Sequence, residues 1–122
     1  MLRKKVLVVD DSVVVRQQVA LALQGAGYDV LEAGDGVEGR QRVMATPDLA
    51  MMVCDLNMPE MDGLELVATL KAEGLLTFPV TMLTSEGRPE LLARAKGLGA
   101  RAWMIKPVVP AQLIAVVNKL AK

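Results

Sequence analysis

Five short apolar runs, each followed by a segment of helical periodicity, constrain the fold of this chain more than any other feature. Lys5-Val6-Leu7-Val8-Val9-Asp10 reads as a β-branched strand without polar alternation. That is the pattern of a strand buried on both faces of a parallel sheet. Asp29 to Ala33, Ala50 to Cys54, Pro79 to Leu83 and Arg101 to Ile105 are predicted as the other four strands. Between them, Ser12 caps a helix with Val15, Val19, Ala22, Leu23 and Ala26 at helical spacing, and Gly25 and Gly27 give its stop signals. A second helix is predicted over Val37 to Ala45, stopping ahead of Pro47, after a turn at Gly34-Asp35-Gly36. Gly63 to Glu73 places Leu64, Val67 and Leu70 on one face, and Gly74 closes that helix. Arg88 to Leu98 and Ala111 to Leu120 complete the set, the last with Leu113, Val116, Val117 and Leu120 aligned. Five βα units imply an α/β fold, a doubly wound parallel sheet with helices on both faces, because crossovers between parallel strands are almost always right-handed.

The length suits one domain over residues 1–122, large enough to bury a core without staples. Its apolar runs are too short and too often broken by charge to span a bilayer. Met1-Leu2-Arg3-Lys4-Lys5 passes straight into a strand with no export pattern, so a cytoplasmic location is expected. Fourteen basic residues offset fourteen acidic ones, and Tyr28, Phe78 and Trp103 are the sole aromatics, which argues against a nucleic-acid surface. A single cysteine, Cys54, and no histidine exclude internal disulfides and the usual zinc or iron sites. Hard cations held by carboxylates remain.

In such sheets ligands bind beyond the C-terminal ends of the strands. The residues that terminate strands one, three, four and five are Asp10 with Asp11, then Asp55, Thr84 and Lys106. Singly each has an ordinary explanation. Asp10-Asp11-Ser12 can be a helix cap, Asp55 before Pro59 and Gly63 a turn residue, Thr84 a strand-end hydroxyl and Lys106 a solvated charge. Together they place three carboxylates, a hydroxyl and an ammonium on one edge. Three crowded carboxylates repel one another unless a divalent cation neutralises them, and Mg²⁺ with open positions for phosphate oxygens suits that need. The backbone carbonyl of Asn57 can add a ligand. A carboxylate nucleophile, a metal, a hydroxyl and a lysine are the parts needed for phosphoryl transfer to an aspartate.

The whole chain resembles the receiver domains of bacterial two-component response regulators, and most nearly their single-domain chemotaxis members. The resemblance implies a flavodoxin-like sheet of strand order 2-1-3-4-5 flanked by five helices, with Asp55 as phosphoacceptor. It implies Mg²⁺ held by Asp11, Asp55 and the Asn57 carbonyl, with Asp10 assisting through water. Thr84 then matches the switch hydroxyl, Lys106 of Lys106-Pro107 the phosphoryl-contacting lysine, and small Ser85 leaves access. Asn57 and Glu86 match positions that tune dephosphorylation. Trp103 stands where the family usually carries Tyr or Phe, and Val108 where Phe is common. By base rate the Lys106-Pro107 bond is trans, whereas the resemblance implies cis. The partners implied are a sensor histidine kinase or phosphotransfer protein and a downstream protein met by the helix 4, strand 5 and helix 5 face. Nucleic acid and membrane are not among them, and the chain is expected as a monomer or a phosphorylation-dependent dimer.

Two other functions compete with this switch. An aspartate-nucleophile phosphatase generally has a second carboxylate two residues after the nucleophile as general acid, and Asn57 stands there instead. A docking domain that never accepts phosphate is disfavoured because every active-site position is present. Beyond the site, Met51, Met52, Met82 and Met104 are expected in the core, Cys54 as an inert buried thiol, and Met58 and Met61 either in the core or facing a partner. Trp103 is expected to be a half-buried surface anchor, and Val13, Val14 and Gln17 with Val108 form a candidate kinase-docking patch.

Overall fold

In the computed structural model, residues 3–58, 60–85 and 87–122 are described. The elements alternate from end to end: β1 (Lys5–Val9), α1 (Val13–Gly25), β2 (Asp29–Ala33), α2 (Gly36–Ala45), β3 (Leu49–Asp55), α3 (Gly63–Ala72), β4 (Val80–Thr84), α4 (Pro89–Gly97), β5 (Ala102–Ile105) and α5 (Pro110–Leu120). The strands form one parallel sheet in the order β2-β1-β3-β4-β5, as the resemblance implied.

The absence of polar alternation in the strands has a direct cause. Leu7 and Val9 of β1, with Met52 and Cys54 of β3, face a core closed by Val43 of α2, Leu66 and Leu70 of α3 and Ala95 of α4. Val6, Val8, Met51 and Val53 face the opposite core, closed by Val19 and Leu23 of α1 and by Leu113 and Val117 of α5. Both faces of the central strands are therefore dry, and the four strand methionines are buried as expected.

Element boundaries moved by a residue or two for local reasons. β3 reaches Asp55 because that residue still pairs with Leu83, so the carboxylate belongs to the strand rather than to the turn after it. α4 and α5 begin on Pro89 and Pro110 at their first turns, where a missing N–H costs nothing. Ala26, expected on the buried face of α1, is exposed and forms its C-cap. Among the described residues no helix is long and apolar enough to cross a membrane.

One close approach fixes how α3 leaves the sheet edge. A Cβ at Gly63 would lie 2.1 Å from the backbone oxygen of Asp55, and the Gly63 N–H donates to Leu56 O at 3.0 Å. Backbone, not a pliable side chain, occupies the space. Gly63→Ala is therefore expected to destabilise the protein by about 3 kcal/mol or more. Gly25→Ala, where nothing lies within 4 Å, should stabilise by no more than ~1 kcal/mol. Denaturant unfolding of the two variants checks the contrast, and equal effects would contradict it.

Candidate functional site

Asp10 follows β1 and is fully buried. Its N–H donates to Ala33 O at 3.1 Å, its Oδ1 accepts from Ser12 N at 2.9 Å, and its carbonyl accepts from Arg16 Nη1 at 2.6 Å. Ser12 Oγ in turn accepts from Val15 N at 3.2 Å and caps α1. The capping task thus falls to Ser12, which leaves the Asp11 carboxylate exposed and uncommitted to the helix.

Asp55 ends β3 with 3 % of its surface exposed. Its Oδ1 lies 3.4 Å from Asn57 N and 3.3 Å from Lys106 Nζ. Lys106 follows β5, its N–H donating to Thr84 O at 2.7 Å, and its Nζ reaches Asp10 Oδ2 at 2.8 Å. The Lys106-Pro107 bond is cis. Thr84 ends β4, fully buried, in register with Ile105. One ligand oxygen each from Asp10, Asp11 and Asp55 lies within 4.8 Å of the others. The fold thus gathers at one strand edge the residues that the sequence placed at strand ends.

Charge balance in this cluster is unfavourable. Burial, and then the negative charge of Asp10, push the Asp55 carboxyl up to about 6, against the opposing pull of Lys106 and the Asn57 N–H. Burial lowers the affinity of Lys106 for its proton, but the carboxylates of Asp10 and Asp55 outweigh it and hold the ammonium above its ordinary value. Among the described residues one ammonium thus pairs with two of the three clustered carboxylates. At 2.8 Å it pairs with Asp10 Oδ2. Three clustered carboxylates, one of them fully buried, are a donor set for a hard divalent cation, and the residues fit Mg²⁺. Asp11, open to solvent, gives such an ion its approach.

Around this centre the structure distributes the remaining expected residues. Asn57 is exposed, two residues beyond Asp55. Trp103 pairs with Met82 on β5 and is 40 % exposed. Met58 and Met61 are partly buried and pack on the core of the α2–α3 face, anchoring the loop rather than standing free for a partner. Cys54 is wholly buried, and burial with the neighbouring carboxylates of Asp55 and Asp10 raises its thiol, leaving it unreactive. Glu86, expected to tune phosphate lifetime, and Pro59, expected in the turn, lie outside the described residues. Arg16 was not among the expected site residues. Its contact is with a backbone carbonyl, which leaves no residue-type signal in the sequence.

Residues 6–118 match the sequence model of the family described as the response regulator receiver domain. The chain is 39% identical over 108 residues to the chemotaxis protein CheY1 of Helicobacter pylori (strain J99), covering 87% of each. Its structure is similar to that of the chemotaxis protein CheY4 of Vibrio cholerae, with a TM-score of 0.91, 36% identity, and 98% and 99% of the two chains covered. A chain of the CheX–CheY–BeF3–Mg²⁺ complex from Borrelia burgdorferi is also similar, with a TM-score of 0.87, 25% identity, and 98% and 90% covered.

The raised affinity of Asp55 for its proton has a stability consequence. The folded state holds that proton more tightly than the unfolded chain, so the penalty for ionising Asp55 is absent below pH ~4 and fully present above the folded value of about 6. In metal-free buffer, Asp55→Asn should therefore stabilise the fold by about 1–3 kcal/mol at pH 8 and by far less at pH ~4. Urea unfolding with a chelator at the two pH values checks this. A loss of stability at pH 8 would contradict it.

Proposed function

The chain belongs to the response regulator receiver domain family, and on that premise we propose that Asp55 is the residue at which it accepts a phosphoryl group. Phosphoacceptor signalling in a two-component system is the function of this CheY-like chain. The assignment of its parts rests chiefly on one observation: three carboxylates and Lys106 converge at a single strand edge. In this reading residues 1–122 act as one receiver domain.

The donor in this account is a phosphohistidine of a sensor kinase or phosphotransfer protein. An ionised Asp55 Oδ attacks phosphorus, the N–P bond breaks, its electron pair stays on the imidazole, and an acyl phosphate forms on Asp55. Mg²⁺ held by Asp11, Asp55 and the Asn57 carbonyl, with Asp10 assisting through water, would neutralise charge on the phosphoryl oxygens when bound. Lys106, already within 3.3 Å of Asp55 Oδ1, moves its ion pair onto a phosphoryl oxygen. The Thr84 hydroxyl, at the end of the adjacent strand, donates to another. Water later hydrolyses the acyl phosphate slowly, with the side chains at Asn57 and Glu86 setting its lifetime. Turnover like that of a phosphatase is disfavoured because Asn57 cannot act as a general acid.

Phosphorylation replaces one carboxylate by a group of greater charge and reach, and it draws Lys106 and Thr84 away from their resting partners. β5 lies between those two residues and an exposed apolar face. On that face Trp103, Ile105 and Val109 are open to solvent, and we assign the downstream protein to it, with Trp103 as reporter. Kinase docking is assigned to α1, where Val13 and Val14 are 54% and 62% exposed beside exposed Gln17 and half-buried Val108.

With Mg²⁺ and acetyl phosphate, the intact protein should gain the mass of one phosphoryl group. Asp55→Asn should gain none, a chelator should abolish the gain, and Lys106→Ala should slow it by about 100-fold. Labelling that survives Asp55→Asn would refute the assignment, and continuous phosphate release at enzymic rates would favour the phosphatase. Trp103 fluorescence should change on adding Mg²⁺ with beryllofluoride. An unaltered signal would remove Trp103 from the output face.

A further inference from the structure

We propose that Arg16 is a positioning residue for the cation site, gripping the backbone carbonyl of Asp10 and thereby aiming the carboxylate of Asp11. The inference rests on the reading of Asp10 and Asp11 as cation ligands. β1 ends at Val9 and β2 at Ala33, and the Asp10 N–H makes the last bond between them, to Ala33 O at 3.1 Å. The chain of β2 then turns through Gly34 to Asp35, which caps α2. The carbonyl of Asp10 is met instead by a side chain, Arg16 Nη1 at 2.6 Å, reaching back from the first turns of α1.

That carbonyl belongs to the peptide plane leading into Asp11. Because the plane is rigid, holding its oxygen sets the direction from which the Asp11 Cα and side chain depart. On the far side, Ser12 N is fixed by Asp10 Oδ1 at 2.9 Å. Asp11 therefore sits between two anchored peptides, and only one of them is anchored by a residue outside the loop. The guanidinium is itself oriented by Glu32 on β2, with Nε 3.3 Å from Oε1.

Geometry and charge act in opposite directions here, which makes the idea decidable. A guanidinium close to a cation site repels the cation, so an Arg16 that acted only through its charge would weaken Mg²⁺ binding. An Arg16 that acts by positioning strengthens it. Groups that orient metal ligands typically change affinity about 10–100-fold when removed.

The test is calorimetric titration of Mg²⁺ into the full chain and its variants at neutral pH, with folding checked by circular dichroism. Arg16→Ala should raise the Mg²⁺ Kd by about 10-fold. Arg16→Lys keeps the charge but loses the planar fork, and its Kd should rise nearly as much, while Glu32→Gln gives a smaller rise. A Kd unchanged or lowered in Arg16→Ala, or wild-type affinity in Arg16→Lys, would overturn the proposal. Should Arg16→Ala not fold, Arg16→Lys, which keeps the charge, decides it by the same criterion. Absence of Mg²⁺ binding by the wild-type chain would be a different failure, overturning the ligand reading and this inference together.

Discussion

Three carboxylates cluster at the edge of a buried sheet with one ammonium paired to two of them, and the rest of the molecule serves to hold that imbalance. Asp10 and Asp55 are almost wholly removed from water, and among the described residues Lys106 is the cation paired with their carboxylates, at 2.8 and 3.3 Å. Burial of like charges is costly unless something neutralises them. The strain shows in the carboxyl of Asp55, held up to about 6 by burial and by Asp10. That condition supports the proposal that the site takes a cation and then a phosphoryl group that engages both the cation and Lys106.

The fold keeps the cluster from relaxing. Both cores press on the central strands, so β1 and β3 cannot slide or tilt to separate Asp10 from Asp55 without exposing Leu7, Val8, Met52 or Val53. Lys106 is tied to the end of β4 by its own N–H on Thr84 O at 2.7 Å. Gly63 lets the third helix start hard against the Asp55 carbonyl, and Met58 and Met61 pin the intervening loop to the core. The same tie joins Thr84 to the residue that follows β5, whose outer residues Trp103 and Ile105 are exposed.

Much of this was legible in the residues alone, and the reason is the dryness of both sheet faces. A strand buried on two sides is largely apolar, so the end of β1 is marked sharply by its first polar residue, Asp10. Boundaries slipped where that rule is local. Asp55 is polar yet remains in β3 because its backbone still pairs with Leu83. Contacts made by backbone atoms were not legible. Nothing in the identity of Arg16 says that it reaches the Asp10 carbonyl, and nothing in Gly63 says that the Asp55 oxygen occupies the place of its Cβ. Met58 and Met61 were ambiguous for another reason: a flexible thioether suits a core gap and a partner surface equally well.

The central claim is that the under-neutralised cluster exists to seat a metal-bound phosphoryl group on Asp55. A crystal structure of the protein with Mg²⁺ and beryllofluoride tests it directly. Beryllofluoride should be bonded to an Asp55 carboxylate oxygen, with Mg²⁺ on Asp11, Asp55 and the Asn57 carbonyl, Asp10 reaching it through water, and Lys106 and Thr84 in contact with fluorine. An unmodified Asp55 in crystals grown with both reagents in excess, or Mg²⁺ bound away from the three carboxylates, would contradict it.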